Sequence, residues 1–274
     1  MPIEHPDSLP EGHHLLLDQI VGRLAQDPRL VGVAVGGSYL TDTMDAFSDL
    51  DLVIAVEPEH EAEVSAERQQ IAASLGPLLA AFTGEHVGEP RVLICLFGPP
   101  PIHVDLKFVG LDDVAERVED PAVLWQRDDR LSTVLSRGEA RYPAPDLQWI
   151  EDRFWIWIHY GATKVGRGEL FEALGFLAFL RMVVFGPLGL AQRGLRPTGV
   201  RRVETASGLA EELETTVATP EPRSLVAALR SAVTLYRRQR ADVLERSEGP
   251  LELRSAAESA AVDYLEQIGS GPAG

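Results

Sequence analysis

Cysteine is nearly missing from this chain: Cys95 is the only one in 274 residues. A lone thiol forms no internal disulfide, which excludes a disulfide-stapled fold and fits a reducing compartment. Lysine is also scarce, with Lys107 and Lys164 the only two. No run reads as the ~20 consecutive apolar residues of a membrane-spanning helix, so no membrane partner is expected. The opening MPIEHPDSLPEGHHLLL lacks the basic stretch of a secretory signal, and the expected location is the cytoplasm. With 24 Gly and 19 Pro the chain is neither collagen-like nor low-complexity. With 45% hydrophobic residues it is too apolar to stay disordered.

Positive charge is the other shortage. Forty-two acids face 25 bases, for a net charge of −17. Residues 1–150 hold 26 acids and 10 bases, net −16, and the rest of the chain is close to neutral. Such a field repels a phosphate backbone, so nucleic acid is not an expected partner. It attracts cations, whether metal ions or cationic small molecules. An acidic surface is also simply a soluble one.

What is present reads as two parts. Leu15 to Ala25 has helical spacing and stops at Asp27-Pro28. Leu30 to Val35 is a short β-branched run, broken sharply by Gly36-Gly37-Ser38. A polar loop leads through Phe47 to a second strand, Leu50 to Val56, whose near-continuous hydrophobicity suggests cover on both faces. Glu59 to about Phe82 is expected as a helix with an acidic start. Arg91–Phe97 and Ile102–Val109 are expected strands joined by Gly98-Pro99-Pro100-Pro101. In the latter, His103, Asp105 and Lys107 alternate with apolar residues and so share one face. From Leu147 onward the β pattern vanishes. Leu147–Val165, Leu170–Phe185, Pro222–Glu245 and Leu251–Ile268 read as helices, Phe185–Val203 as a Gly- and Arg-rich loop, and the final GSGPAG as a frayed tail. The expected fold is an α/β (α+β) domain with a mixed sheet at residues 1–145, then an all-α helical domain at 146–274. A cleft between the two is the expected binding place.

Chemistry concentrates in the first part. Gly37-Ser38 follows a strand directly, Asp49-Leu50-Asp51 opens the next one, and Asp105 lies within a later strand. Asp49 and Asp51, at i and i+2, point to one face of an otherwise apolar strand. Like charges held that close repel unless a cation lies between them. Mg²⁺ takes one or two carboxylates together with phosphate oxygens and water. A third carboxylate, Asp105, would complete a two-metal site for phosphoryl displacement. Glycine lets backbone N–H groups approach a phosphate, and the serine hydroxyl adds a donor. Gly-Ser after a strand, taken alone, is more often just a turn.

In this order and at this spacing, Gly37, Ser38, Asp49, Asp51 and Asp105 resemble the signature of the polymerase-beta-type nucleotidyltransferase superfamily, over about residues 15–110. The resemblance implies that Gly37 and Ser38 hold a nucleoside triphosphate. It implies that Asp49 and Asp51 bind Mg²⁺, two ions in all, and that Asp105 ligates the metal at the attacking hydroxyl or accepts its proton. The stretch Phe154-Trp155-Ile156-Trp157-Ile158-His159-Tyr160, then Lys164, then Arg167 to Leu174, looks like the helical domain of the aminoglycoside and lincosamide adenylyltransferases. Lys164 is then a candidate triphosphate contact, or a solvated helix residue. Glu169 and Glu172 share a helix face, and Glu169 is a candidate general base. Both also suit a helix N-terminus for reasons of dipole alone. The expected activity is Mg²⁺-dependent transfer of AMP from ATP to a hydroxyl of a small, cationic, antibiotic-like acceptor, with release of pyrophosphate. The alternatives are a protein or RNA acceptor, or a non-catalytic nucleotide-binding module.

Other residues carry blander expectations. His103 reads as a packing or hydrogen-bonding residue, His13-His14 as exposed, and Cys95 as a buried inert thiol. Trp149, Trp155 and Trp157 read as core before stacking platform. Arg193, Arg196, Arg201 and Arg202 read as a solvated basic loop.

Overall fold

A computed structural model describes residues 5–246 and 250–271. The chain divides into two compact units, Met1–Tyr142 and Pro143–Gly274.

The first unit is a six-stranded mixed sheet with helices. In chain order it holds α1 (Glu11–Leu24), β1 (Leu30–Val35), β2 (Leu50–Val56), α2 (Glu61–Leu75), β3 (Leu78–Gly84), β4 (Glu89–Phe97), β5 (Ile102–Gly110), β6 (Ala122–Gln126) and α3 (Arg130–Leu135). The sheet order is β3-β4-β5-β2-β1-β6. β2 and β5 run parallel; the other neighbours are antiparallel. A parallel pair needs a long crossover, and α2, β3 and β4 supply it.

Alternation sorts the two faces. Leu50, Leu52, Ile54 and Val56 of β2 join Val104, Leu106 and Phe108 of β5 in a core built with α1 and α2. On the opposite face, Ala55 and Val109 pack with Leu131 and Val134 of α3. Asp51 and Asp105 have the same parity as Ala55 and Val109. They therefore lie on the α3 face, nearer the N-terminal ends of β2 and β5.

Several sequence expectations need correction here. The helix expected to reach Phe82 ends at Leu75. Gly76-Pro77 cannot continue it, and Leu78–Gly84 becomes an edge strand by pairing with β4, Ala81 opposite Cys95 and Phe82 opposite Ile94. Ala and Leu favour helix locally, but the β4 ladder outweighs that weak preference. β6 and α3 were not anticipated; β6 exists because β1 offers it a free edge, with Val33 opposite Trp125. α1 begins at Glu11, four residues earlier than expected.

The second unit is helical: α4 (Leu147–Gly166), α5 (Leu170–Leu180), α6 (Gly186–Gln192), α7 (Leu209–Glu214), α8 (Pro222–Arg246) and α9 (Ser255–Ser270). Residues 186–192, expected in a loop, are helical, and a wider π-type turn at Arg181–Phe185 joins α5 to α6. Of the expected tail, Gly269 and Ser270 belong to α9, and residues 272–274 lie outside the described residues. The Leu170–Gln192 run corrects the reading that no segment is long and apolar enough to cross a membrane: its 23 residues are, by length and composition alone. Half of its apolar window is buried, with Leu177, Leu180, Phe185 and Leu188 in the core of the unit. Arg181, within the run, donates to the Thr216 carbonyl at 2.7 Å.

That core encloses one buried carboxylate. Glu151 is fully buried and accepts from Tyr236 Oη at 2.7 Å, Trp155 Nε1 at 3.0 Å, the Arg254 backbone N–H at 2.9 Å and Arg240 at 3.1 Å. Burial alone raises a carboxyl pKa; these donors outweigh it and hold Glu151 below its ordinary value.

Candidate active site

β1 ends at Val35, and the chain turns at once. The Gly36 N–H donates to the Asp51 carbonyl at 2.9 Å, which ties the turn to β2. Gly37 has φ +64°, and a Cβ built there would lie 2.5 Å from Asp51 Oδ2. Both the backbone conformation and the close approach require glycine. A 3-10 turn follows over Gly37–Thr41 and contains Ser38.

The Gly37 N–H donates to Glu119 Oε1 at 2.9 Å. Glu119 lies in the loop between Ala115 and β6, 82 residues further along the chain. The turn therefore already presents a backbone donor to an anionic oxygen, the kind of acceptor a phosphate also offers. No sequence pattern pointed to Glu119.

Asp49 sits immediately before β2, half-buried. The loop that delivers it is braced. Asp45 Oδ1 accepts from the Phe47 N–H at 2.8 Å, and Ser8 Oγ accepts from the Met44 N–H at 3.1 Å. His13 Nε2 donates to the Ser48 carbonyl at 2.8 Å. The expectation of an exposed His13 is thus wrong: it is 6% exposed and holds the residue next to Asp49. The clue was available, since His13 lies on the apolar side of α1 beside Leu16 and Leu17.

Asp51 and Asp105 are direct partners across the parallel β2–β5 pair. Both are half-buried. His103 Nε2 lies 2.8 Å from Asp105 Oδ1, so His103 hydrogen-bonds the carboxylate from its own face of β5. Lys107, two residues on, pairs with Glu89 Oε2 at 2.9 Å. Arg91 hydrogen bonds, opposed by burial and helped by Lys107, hold the Glu89 carboxyl down at about 2. Cys95 is buried, and burial followed by the nearby Asp105 charge pushes its thiol up to about 12, as expected of an inert core residue.

Asp49, Asp51 and Asp105 offer oxygen ligands alone, the donor set that Mg²⁺ accepts. Among the described residues the carboxylate oxygens of these three do not all lie within 4.8 Å of one another. Asp51 and Asp105, in register and beside the Gly37 turn, are the part of the set that the structure brings together.

In the helical unit, Lys164 Nζ and Glu169 Oε2 lie 2.5 Å apart. The hydrogen bond raises the lysine pKa and lowers that of the carboxyl. Glu169 sits at the N-cap position of α5, and Glu172 accepts from Tyr160 Oη at 2.8 Å. Trp155 is core, whereas Trp149 is 41% exposed with the Arg153 guanidinium 4.3 Å from its ring centre. Arg193 is tied to Glu212 at 3.0 Å and to the Ser207 and Gly189 carbonyls, which is a structural role.

Residues 17–87 match the sequence profile of a nucleotidyltransferase domain. No curated protein matches the sequence. Among solved structures, an aminoglycoside 6-adenyltransferase from Bacillus subtilis aligns at 15% identity and a TM-score of 0.38, over 93% of this chain and 98% of its own. A nucleotidyltransferase-like protein from Exiguobacterium sibiricum 255-15 aligns at 13% identity and a TM-score of 0.34, over 93% and 87%.

Proposed function

We propose that the nucleotidyltransferase domain carried at residues 17–87 serves an enzyme that moves a nucleoside monophosphate, AMP from ATP, onto a hydroxyl of a small cationic acceptor and releases pyrophosphate. The observation that supports this most is the pairing of Asp51 with Asp105 in register across β2 and β5, on one sheet face. The Gly37 turn stands directly beside Asp51.

In this reading the Gly37 N–H and the Ser38 hydroxyl receive triphosphate oxygens, and Glu119 gives up its place on Gly37 as they do. Asp49, Asp51 and Asp105 hold two Mg²⁺ ions. When bound, these ions neutralise charge on the phosphoryl oxygens and support an in-line displacement. Asp105 orients the attacking hydroxyl or takes its proton, while His103 Nε2 fixes the Asp105 Oδ1 side of that carboxylate. His13 positions Asp49 through the Ser48 carbonyl. Glu169 is the alternative base, its carboxyl held below the ordinary value by the Lys164 ion pair. The net charge of −16 over residues 1–150 favours a cationic acceptor of the aminoglycoside type. A cytoplasmic setting, where nucleoside triphosphates are held, suits this reading.

Thermal unfolding with Mg²⁺ and each nucleoside triphosphate in turn tests this. A triphosphate at ~100 times its dissociation constant adds roughly 2.7 kcal/mol of stability, a visible shift. The shift should vanish in Asp49→Asn/Asp51→Asn. If that variant keeps it, the carboxylate assignment fails; if no triphosphate shifts the wild type, the whole reading fails. Product mass over an acceptor panel then distinguishes a small molecule from a protein side chain.

A further inference from the structure

We propose that His5, His14 and Asp18 form a binding site for a divalent transition-metal ion of the Zn²⁺ type, separate from the Asp49, Asp51 and Asp105 set. His14 and Asp18 stand at i and i+4 on α1, so they share one helix face. The residues before α1 fold back, with the Leu9 N–H on the Pro6 carbonyl at 3.1 Å, and bring His5 to the same place. His5 Nε2 lies 3.0 Å from Asp18 Oδ1, and His14 Nε2 lies 3.2 Å from Asp18 Oδ2. One ligand atom from each of the three residues falls within 4.8 Å of the others. The two imidazole rings are 4.5 Å apart, centre to centre.

The donor set decides the class of ion. Two imidazole nitrogens and one carboxylate suit Zn²⁺ and its neighbours, whereas Mg²⁺ prefers oxygen alone. Three protein ligands leave a fourth position for water or another group. The second nitrogen of His5 supports the same conclusion. His5 Nδ1 lies 2.9 Å from Tyr39 Oη, and the His5 side chain is only 8% exposed. With Nδ1–H donated to Tyr39 Oη, the Nε2 lone pair is directed at the metal. Such a hydrogen-bonded outer partner is the usual support of a ligating histidine. Without a metal, Nε2 must instead carry a proton toward Asp18. The site would tie the N-terminal segment to α1 and to Tyr39, the residue that follows Ser38. That link gives the ion a route to the phosphate-binding turn.

The test uses the full chain without an affinity tag, stripped with chelator, and titrated with Zn²⁺ and with Co²⁺. The wild type should bind one equivalent more than His14→Ala, unfold at a higher temperature with Zn²⁺, and show visible Co²⁺ absorption typical of nitrogen and oxygen ligands. His14→Ala and Asp18→Asn, both at partly exposed positions, should fold and weaken binding at least ~100-fold, and Tyr39→Phe about tenfold. Asp49→Asn/Asp51→Asn should retain the site, which separates this outcome from failure of the nucleotide reading. Equal metal uptake by wild type and His14→Ala overturns the proposal, as does a wild type that takes up no Zn²⁺.

Discussion

Replacing Glu119 with alanine should tighten nucleoside triphosphate binding. The carboxylate accepts the Gly37 N–H at 2.9 Å, and a triphosphate oxygen needs that same donor. A hydrogen bond to a charged group contributes about 1.5–3 kcal/mol net. Glu119 is half-exposed, and solvent screening brings this down to about 1 kcal/mol. At 1.4 kcal/mol per factor of ten, its loss strengthens binding about fivefold. Removing a negative charge near the phosphates acts in the same direction. Glu119→Gln keeps an acceptor but drops the charge, so its affinity should fall between the two. Calorimetric titration with a non-hydrolysable ATP analogue and Mg²⁺, at fixed salt, reads the series. Equal or weaker binding by Glu119→Ala refutes the reasoning, because Glu119 would then support the ligand rather than compete with it.

Gly37→Ala should destabilise the fold by about 1–2 kcal/mol in urea unfolding, from the left-handed backbone alone. Its Cβ would also press on Asp51 Oδ2, so the triphosphate-dependent thermal shift should be lost with it. Glu151→Gln should cost about 3 kcal/mol by the same assay, since it leaves Arg240 and several donors around a neutral group in the core. The folded pKa of Glu151 lies below its ordinary value, so its contribution is present at neutral pH and fades as pH falls below about 4.3. The stability gap between wild type and Glu151→Gln should therefore narrow in acid; a gap independent of pH would contradict this. Cys95, with its thiol pushed to about 12, should resist iodoacetamide at pH 8 in the native protein and react after unfolding.

Most strands of the first unit were legible because their residues carry a local pattern. β1 and β2 lie at the expected Leu30–Val35 and Leu50–Val56, each a β-branched run closed by a polar or glycine break. β5 alternates, and that alternation correctly put His103, Asp105 and Lys107 on the more exposed face. β3 and β6 were not legible. Their residues, LLAAFTG and AVLWQ, lack a distinctive period, and each is a strand because a partner edge was within reach. His13 was legible in part, since Leu16 and Leu17 mark its side of α1 as apolar, but its partner, the Ser48 carbonyl, lies 35 positions away.

Period-two spacing by itself settled which residues of β2 and β5 share a face, and the glycine and polar breaks set the ends of β1 and β2. Tertiary structure alone decided that Asp51 and Asp105 stand opposite each other, that Glu119 reaches the Gly37 N–H, and that His5 returns to His14 and Asp18. The physical reason is the range of the forces. Side-chain direction within a strand follows from backbone geometry a few residues long. Register, loop closure and hydrogen bonds between residues tens of positions apart depend on how the whole sheet and its helices pack.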